Sequence, residues 1–190
     1  MSLVERVRAR FARPPEAVRA VVAADADERV LAWGERVDGG WTVATSRGLR
    51  VGPAGLDLGA AVEVPVLPWH QVGSARWNAA GSGGTFVVTP LTEVEPGVQA
   101  RLVPQRHVLR EAGELPAVLK KRVDQTVVTS QRHPLPGGGA VLLVARRVPG
   151  QAAREWTVVF DDDADRDDPV ARELARERLA AAVAADDPTR

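Results

Sequence analysis

"ERVLAWGERVDGGWTVATSRGLRVG", residues 28–52, decides the fold of this chain. Short stretches rich in apolar and β-branched residues alternate here with residues that favour turns. Asp38-Gly39-Gly40 is typical of a β-hairpin, because glycine accepts the positive φ that tight hairpin turns require. Ser46-Arg47-Gly48 is a second predicted turn. The stretch therefore predicts a series of strands joined by tight turns.

The strand pattern continues well beyond this stretch. "VEVPV" (62–66) and "VQARLV" (98–103) alternate apolar and polar residues, and "LPWHQVGSARWN" (67–78) and "GTFVVTP" (84–90) are further predicted strands. Residues 81–84 form an exposed glycine-rich turn. Short strands joined by glycine turns indicate an antiparallel sheet curled into a barrel or sandwich. The βαβ rhythm of nucleotide-binding folds is absent.

Helical periodicity appears from Leu115. The apolar spacing predicts a helix that gives way to a strand near Val127. A hairpin across Pro149-Gly150 follows, and Asp168-Pro169 has the cap and first-turn proline that open a last helix. The predicted apolar side of that helix is Val170, Leu174, Ala175, Leu179, Ala182 and Val183.

The N-terminal residues predict a separate helical segment. Ser2 and Glu5 have the spacing of a capping box, the following turns are amphipathic and basic, and Pro14-Pro15 ends the helix before a second short one. We therefore predict an α+β chain. Its four parts are an N-terminal helical segment (1–27), an antiparallel β-barrel or curved sheet with a closing helix (28–130), a strand–helix extension packed on or completing the same domain (131–185), and a frayed tail (186–190).

Composition excludes several classes of function. The 190 residues contain 25 Lys+Arg and 25 Asp+Glu, so no net charge favours nucleic acid or an anionic membrane. The sequence has no cysteine, which excludes disulfides, thiolate nucleophiles and iron–sulfur clusters. No apolar run approaches the roughly 20 residues of a spanning helix, and the first residues lack the apolar core of a secretion signal. We expect a soluble cytoplasmic protein.

Six aspartates crowd the segment just before the last helix. Counted from Asp161, the sixth position is Arg166, where an EF-hand loop needs glycine, and the twelfth is Arg172, where it needs glutamate. Acidic residues are favourable near the positive end of a helix dipole. We therefore predict no metal site, with Asp168 as the cap. The six residues are Asp161, Asp162, Asp163, Asp165, Asp167 and Asp168.

No catalytic or cofactor-binding constellation is evident. His70, His107 and His133 lie in separate elements without ligand spacing. There is no Gly-x-Ser-x-Gly elbow. The turn at 81–84 lacks the Gly-Lys-Ser/Thr ending of a phosphate-binding loop. We predict no catalytic residues, no cofactor and no enzyme.

The tryptophans and one basic run are the best candidates for a binding surface. Five of the eight aromatic residues are tryptophan, and Trp33, Trp41 and Trp156 are predicted to build the core because they lie inside apolar strands. One of the pair Trp69 and Trp77 could instead lie on a surface that binds a partner. The densest basic run is either a solvated helix face or a docking site for an acidic partner. The candidate residues are Trp69, His70, Arg76, Trp77, Lys120, Lys121 and Arg122.

Several segments give the chain a family resemblance. "VLAWGERVDGGWTVATSRGLRV" (30–51) and "LPWHQVGSARW" (67–77) resemble a pleckstrin-homology-like (PH-like) domain, which places a W-x-x-V strand before a sheet closed by a C-terminal helix. "RVDQTVVTSQ" (122–131) and "DDPVARELARERL" (167–179) resemble short uncharacterised actinobacterial proteins of this kind. The resemblance covers most of the chain after residue 28. It implies binding of a lipid, peptide or protein, and it supplies no catalytic residues.

Three functional hypotheses follow. The first is a non-enzymatic PH-like interaction or scaffold protein that binds another protein. The second is a peripheral membrane protein that associates weakly with anionic lipid through residues 1–22 together with the basic run at 120–122. The third is an unrecognised enzyme that uses His70 or the aspartates. Phosphoinositide binding is not expected, since the loop Asp38-Gly39-Gly40 carries no positive charge.

Overall fold

A computed structural model describes residues 13–22, 27–55 and 63–186 of the chain. The fold is α+β, as predicted. The chain forms two compact units: residues 1–88 with 104–123, and residues 89–103 with 124–190. Most of the predicted N-terminal amphipathic helix (1–12) and the last four residues of the predicted tail lie outside the described residues. No helix within the described ranges has both the length and the apolar character needed to cross a bilayer.

The first unit is an antiparallel sheet with two helices. Its hydrogen-bonded strands run in the order β4-β3-β2-β1-β8-β6-β5. The elements are α1 (Glu16–Ala20), β1 (Val30–Arg36), β2 (Trp41–Thr45), β3 (Gly48–Gly52), β4 (Val66–Pro68), a 3-10 turn (Trp69–Gln71), β5 (Val72–Ala80), the first part of β6 (Gly83–Glu95), β8 (Gln105–Glu111) and most of α2 (Leu115–Thr126). The second unit contains the rest of β6 and of α2.

Of the predicted alternatives, a barrel or a curved sheet, the barrel is wrong, because the sheet stays open. Among the described strands, β4 and β5 stand at the two ends of the order and do not pair with each other. The predicted strand over 67–78 is also interrupted. Pro68 ends the three-residue β4, and the chain makes its 3-10 turn before β5 begins at Val72. Proline has no N–H to donate, so it suits the end of a strand and not a ladder.

The helix predicted from Leu115 is confirmed as α2, and its apolar residues enter the core. Leu115 and Leu119 are fully buried, and they belong to one core cluster with Phe86 and Val72. A second cluster in this unit joins α1 to β2 through Val18 and Val43, and Trp33 and Trp41 pack half-buried against it. Both tryptophan side chains therefore contribute to the core, as predicted, while part of each stays exposed to solvent.

The hairpin between β1 and β2 is confirmed, and its turn is held by a carboxylate. Gly39 has a φ of 83°, as the turn requires. Asp38 Oδ1 accepts hydrogen bonds from Arg36 Nε (3.0 Å) and from the backbone N–H of Gly40 (2.9 Å). The hydrogen bond from Arg36, and then that from Gly40, lower the pKa of Asp38 to about 2.

Removing the arginine should therefore change the titration of Asp38. Carbon-detected NMR should show the wild-type carboxyl titrating at about 2, and Arg36→Gln should move the pKa back towards the ordinary aspartate value. Arg29→Gln removes an exposed arginine elsewhere in the unit and should leave the titration unchanged. A titration of Asp38 that is the same in wild type and Arg36→Gln would contradict this account of the turn.

The second unit is a mixed sheet covered on one face by a helix. Its strand order is β6-β7-β11-β10-β9, and β7 runs parallel to β11 while the other pairs are antiparallel. The antiparallel arrangement predicted for the chain is therefore wrong at β7–β11. The elements are the second part of β6, β7 (Val98–Arg101), β9 (Val127–Pro134), β10 (Ala140–Arg147), β11 (Arg154–Phe160) and α3 (Pro169–Ala185).

The start of α3 is confirmed, but its predicted apolar side is only partly right. Asp168 caps the helix by accepting a hydrogen bond from the Val170 backbone N–H (3.0 Å), and Pro169 is the first helical residue. Val170 and Val183 are 60% and 52% exposed, which contradicts the prediction. The buried side instead includes Ala171, one turn before Ala175. The members that pack into the core are Ala171, Leu174, Ala175, Leu179 and Ala182.

Candidate functional site

The two tryptophans proposed for a binding surface have different environments, both in the first unit. Trp69 is only 3% exposed, and its Nε1–H donates to the Thr45 carbonyl at 3.1 Å. Its ring belongs to the core, so it does not supply a surface. Trp77 is half-buried in β5, and its ring lies against Phe86 with centroids 5.5 Å apart. Arg76 is exposed and His70 is half-buried.

The basic run lies on α2, also in the first unit. Lys120 and Lys121 are exposed, and Arg122 is half-buried. Lys120 and Lys121 lie on the side of the helix away from Leu115 and Leu119, whereas Arg122, seven residues after Leu115, lies on the same side as the buried leucines. The position of the lysines suits a solvated helix face, and it also leaves both of them accessible to an acidic partner.

The aspartate-rich segment is used for ion pairs and for capping. Asp161 binds Arg101 (3.4 Å) and Arg132 (2.8 Å), and Asp162 binds Arg101 (3.1 Å). Asp165 accepts a hydrogen bond from the backbone N–H two residues later. Within the described residues, no three His, Asp or Glu side chains are grouped so that they could hold a metal ion.

The histidines occupy three separate elements. His107 in β8 is buried, and its Nε2 has no hydrogen-bond partner in the described part of the chain. Burial, followed by the charge of Arg36, lowers the pKa of His107, so its imidazole is neutral at pH 7. His70 lies in the 3-10 turn and His133 in β9, both half-buried.

The strand β9 stands at the end of the strand order of the second unit. Of its residues, only Thr129 and His133 are half-buried and all others are exposed. Among the described strands β9 pairs with β10 alone. Its backbone groups on the other side can therefore accept another strand.

A cleft of about 570 Å³ lies within the second unit, beside α3 and β7. Its apolar wall includes Val98, Ala100, Phe160 and Ala175, all less than 9% exposed. Charged side chains from β6, β7, α3 and the loop before α3 surround this wall. The volume lies within the usual range for a small-molecule site, but eight of the fifteen lining residues are charged, whereas such sites are lined mostly by apolar side chains.

Two arginines of α3 meet one glutamate at this cleft. Arg172 and Arg176, one helical turn apart, both bind the Glu95 carboxylate, the latter at 2.8 Å. Sequence reasoning missed this trio. Its only local signal is the four-residue spacing of the two arginines, because Glu95 lies 77 residues before Arg172.

Comparison with known proteins adds no further constraint. No protein-family model matches the chain, and searches of curated proteins and of solved structures found no match.

Proposed function

We propose that the chain is a non-enzymatic interaction protein with a PH-like first unit, and that it binds an extended segment of another protein along β9. The PH-like assignment is supported by the antiparallel strand order of the first unit and by α2, which follows the last strand and buries Leu115 and Leu119 in the core. The predicted cytoplasmic location and the absence of catalysis stay predictions.

The open edge of β9 carries this proposal. Residues Val127–Gln131 contain no charged side chain, and Val127 and Val128 are each 36% exposed. Natural edge strands are commonly protected from unwanted pairing by charge, proline or a covering element. Residues 127–131, before Arg132 and Pro134, therefore offer an uncharged stretch that no described strand pairs with on its outer side. Such a stretch suits strand addition, in which backbone hydrogen bonds give affinity and alternate side chains give specificity.

The side chains of β9 indicate what the added segment should carry. Strand alternation places Ser130 and Arg132 on one face, where both are exposed. Val128 is also exposed, and it lies where the pairing of β9 with β10 shifts register between Val127 and Thr129. Arg132 binds Asp161 through Nε and Nη2, which leaves Nη1 to face an incoming carboxylate. We therefore expect the added segment to carry an apolar residue near Val128 and an acidic residue near Arg132.

A photo-crosslinker at Ser130 would test the proposal in the native host. The crosslinker at Ser130 should form a covalent adduct with one partner protein. The same crosslinker at Gln151, in the exposed β10–β11 turn, should not form this adduct. Once that protein is purified, Val128→Lys should weaken its binding by at least about tenfold, because a lysine on the edge opposes strand addition. Gln151→Lys is the matched control and should bind normally.

Two results would overturn the proposal. Capture of the same proteins from Ser130 and Gln151 would show that β9 has no special role. Capture of only a second copy of the chain from Ser130, confirmed by light scattering of the purified protein, would make the edge a self-association surface.

The membrane hypothesis concerns residues 1–22, of which only 13–22 are described. In that part, Val18 and Val21 are buried and cluster with Val43 and Val64. These apolar side chains are therefore already covered by the first unit. Weak membrane association through the remaining residues stays a prediction.

A further inference from the structure

One hydrogen bond shows which backbone groups of β9 point away from its neighbour β10. The Leu135 N–H donates to the Gly139 carbonyl at 3.1 Å, so these residues form a hydrogen-bonded pair where the two strands join. Hydrogen-bonded and non-hydrogen-bonded pairs alternate along an antiparallel ladder. From residue 129 to residue 133, the N–H and C=O groups of odd-numbered residues therefore point to β10, and those of even-numbered residues point outwards.

A second hydrogen bond, on the other side of β10, supports this assignment. The Asp161 N–H donates to the Ala140 carbonyl at 2.9 Å, so this carbonyl points away from β9. Ala140 is the ladder partner of Pro134, which makes theirs a non-hydrogen-bonded pair. Because Pro134 has no N–H and the missing group would point outwards, its place in β9 costs the ladder no hydrogen bond.

The outer edge, with which no described strand pairs, is therefore short. Its regular groups are the N–H and C=O of Ser130 and of Arg132. Pro134 limits the edge at one end because it cannot donate. At the other end, the β9–β10 pairing shifts register between Val127 and Thr129, and a bulge or similar irregularity increases the local twist of a strand.

We infer that the partner strand runs antiparallel to β9 and pairs with Ser130 and Arg132. This inference rests on the proposed strand addition and specifies its geometry. An antiparallel strand reaches all the outward groups of Ser130 and Arg132 with two of its own residues. A parallel strand must extend over about five residues to do so, because its hydrogen bonds slant to either side of each paired residue. The short edge therefore favours the antiparallel direction.

The direction sets the order of side chains in the partner. The Arg132 side chain is 61% exposed, so its guanidinium group can meet a second carboxylate beside that of Asp161. In an antiparallel strand the acidic residue near Arg132 precedes the apolar residue near Val128, and in a parallel strand it follows it. The partner is therefore a protein with an extended segment in which an acidic residue comes before an apolar one.

Amide hydrogen exchange of the free chain tests which groups form the edge. The protection factors of Ser130 and Arg132 should be at least about tenfold lower than that of Gln131, whose N–H bonds to β10. Adding the protein captured through Ser130 should raise the protection of Ser130 and Arg132 and leave Gln131 unchanged. Equal protection of Ser130 and Gln131 in the free chain would overturn the inference, whether or not a partner has been captured.

Photo-crosslinkers at Val128 and Pro134 test the direction. Both residues are exposed and lie on either side of the paired residues. For an antiparallel strand, the partner residue crosslinked from Pro134 should precede the one crosslinked from Val128 in the partner's sequence. The reverse order would refute the antiparallel direction and leave the proposed strand addition intact.

Ser130→Pro removes one outward N–H and should weaken binding of the captured protein by at least about tenfold. Ser130→Ala keeps the N–H and should bind normally. Unchanged protection of Gln131 in Ser130→Pro shows that the β9–β10 ladder is intact. Equal binding of the proline and alanine variants would show that the Ser130 N–H is not used, contrary to the inference.

Discussion

Replacing Arg50 with methionine is expected to lower the free energy of unfolding by about 3–5 kcal/mol, because it leaves a buried carboxylate without its partner. Arg50 binds Glu28 through two hydrogen bonds, Nε to Oε1 at 3.0 Å and Nη2 to Oε2 at 2.6 Å. The Glu28 side chain has no exposed surface, and that of Arg50 is 11% exposed. Arg50 also donates to the Val64 carbonyl. Urea unfolding followed by tryptophan fluorescence measures the loss.

Arg110→Met is the matched control in the same unit. Arg110 binds Glu35 at 3.5 Å with 60% of its side chain exposed, so its loss should cost at most about 1 kcal/mol. The double variant Glu28→Met/Arg50→Met removes both buried charges and should recover most of the stability lost in Arg50→Met. Equal losses for Arg50→Met and Arg110→Met would contradict the role given to the buried pair.

The same pair makes a pH-dependent contribution to stability. Burial alone raises the pKa of Glu28, but hydrogen bonds from Arg50 and Thr45 and the charge of Arg50 outweigh it and hold the pKa below its ordinary value. A folded-state pKa below the unfolded value stabilises the fold above the unfolded pKa. That stabilisation is lost as the pH falls through the folded pKa. The stability difference between wild type and Arg50→Met should therefore be largest near neutral pH and shrink in acid.

The sequence predicted those turns and helix caps whose determining residues lie within a few positions of each other. The turn at Asp38-Gly39-Gly40 and the cap at Asp168 are set by residues within a few positions of each other, and the structure confirms both. The strand β8 had no such signal. Its exposed positions include Val108 and its buried positions include His107, so polarity along the sequence does not follow burial.

Features that depend on distant residues could not be predicted in this way. The parallel pairing of β7 with β11 joins Val98 to Val158, and nothing in either segment specifies the direction of its partner. The cleft has the same origin. The charged side chains around it come from segments far apart in the sequence, and only the folded strand order and α3 bring them together. The open sheet edge at β9 likewise follows from strand order and not from composition.

Replacing Arg146 with methionine is expected to raise the free energy of unfolding by about 1–3 kcal/mol. Arg146 is 5% exposed, and burial lowers the pKa of its guanidinium group. Nη1 donates to Thr126 Oγ1 at 3.0 Å, but Nε has no acceptor within the described part of the chain. Glu155 stands opposite Arg146 in the β10–β11 ladder, yet no ion pair joins them. The buried charge is therefore costly, and methionine keeps the apolar stem while removing it.

Arg147→Met separates this effect from a general loss of positive charge. Arg147 is the next residue on β10 and is exposed, so its replacement should change the unfolding free energy by no more than about 0.5 kcal/mol. Denaturant unfolding of the two variants beside wild type gives the comparison.

If Arg146→Met were instead less stable than wild type, the guanidinium group would have to be paired in solution. Glu155→Gln would then identify the partner, because it should destabilise wild type but leave Arg146→Met unaffected if Glu155 supplies the missing charge.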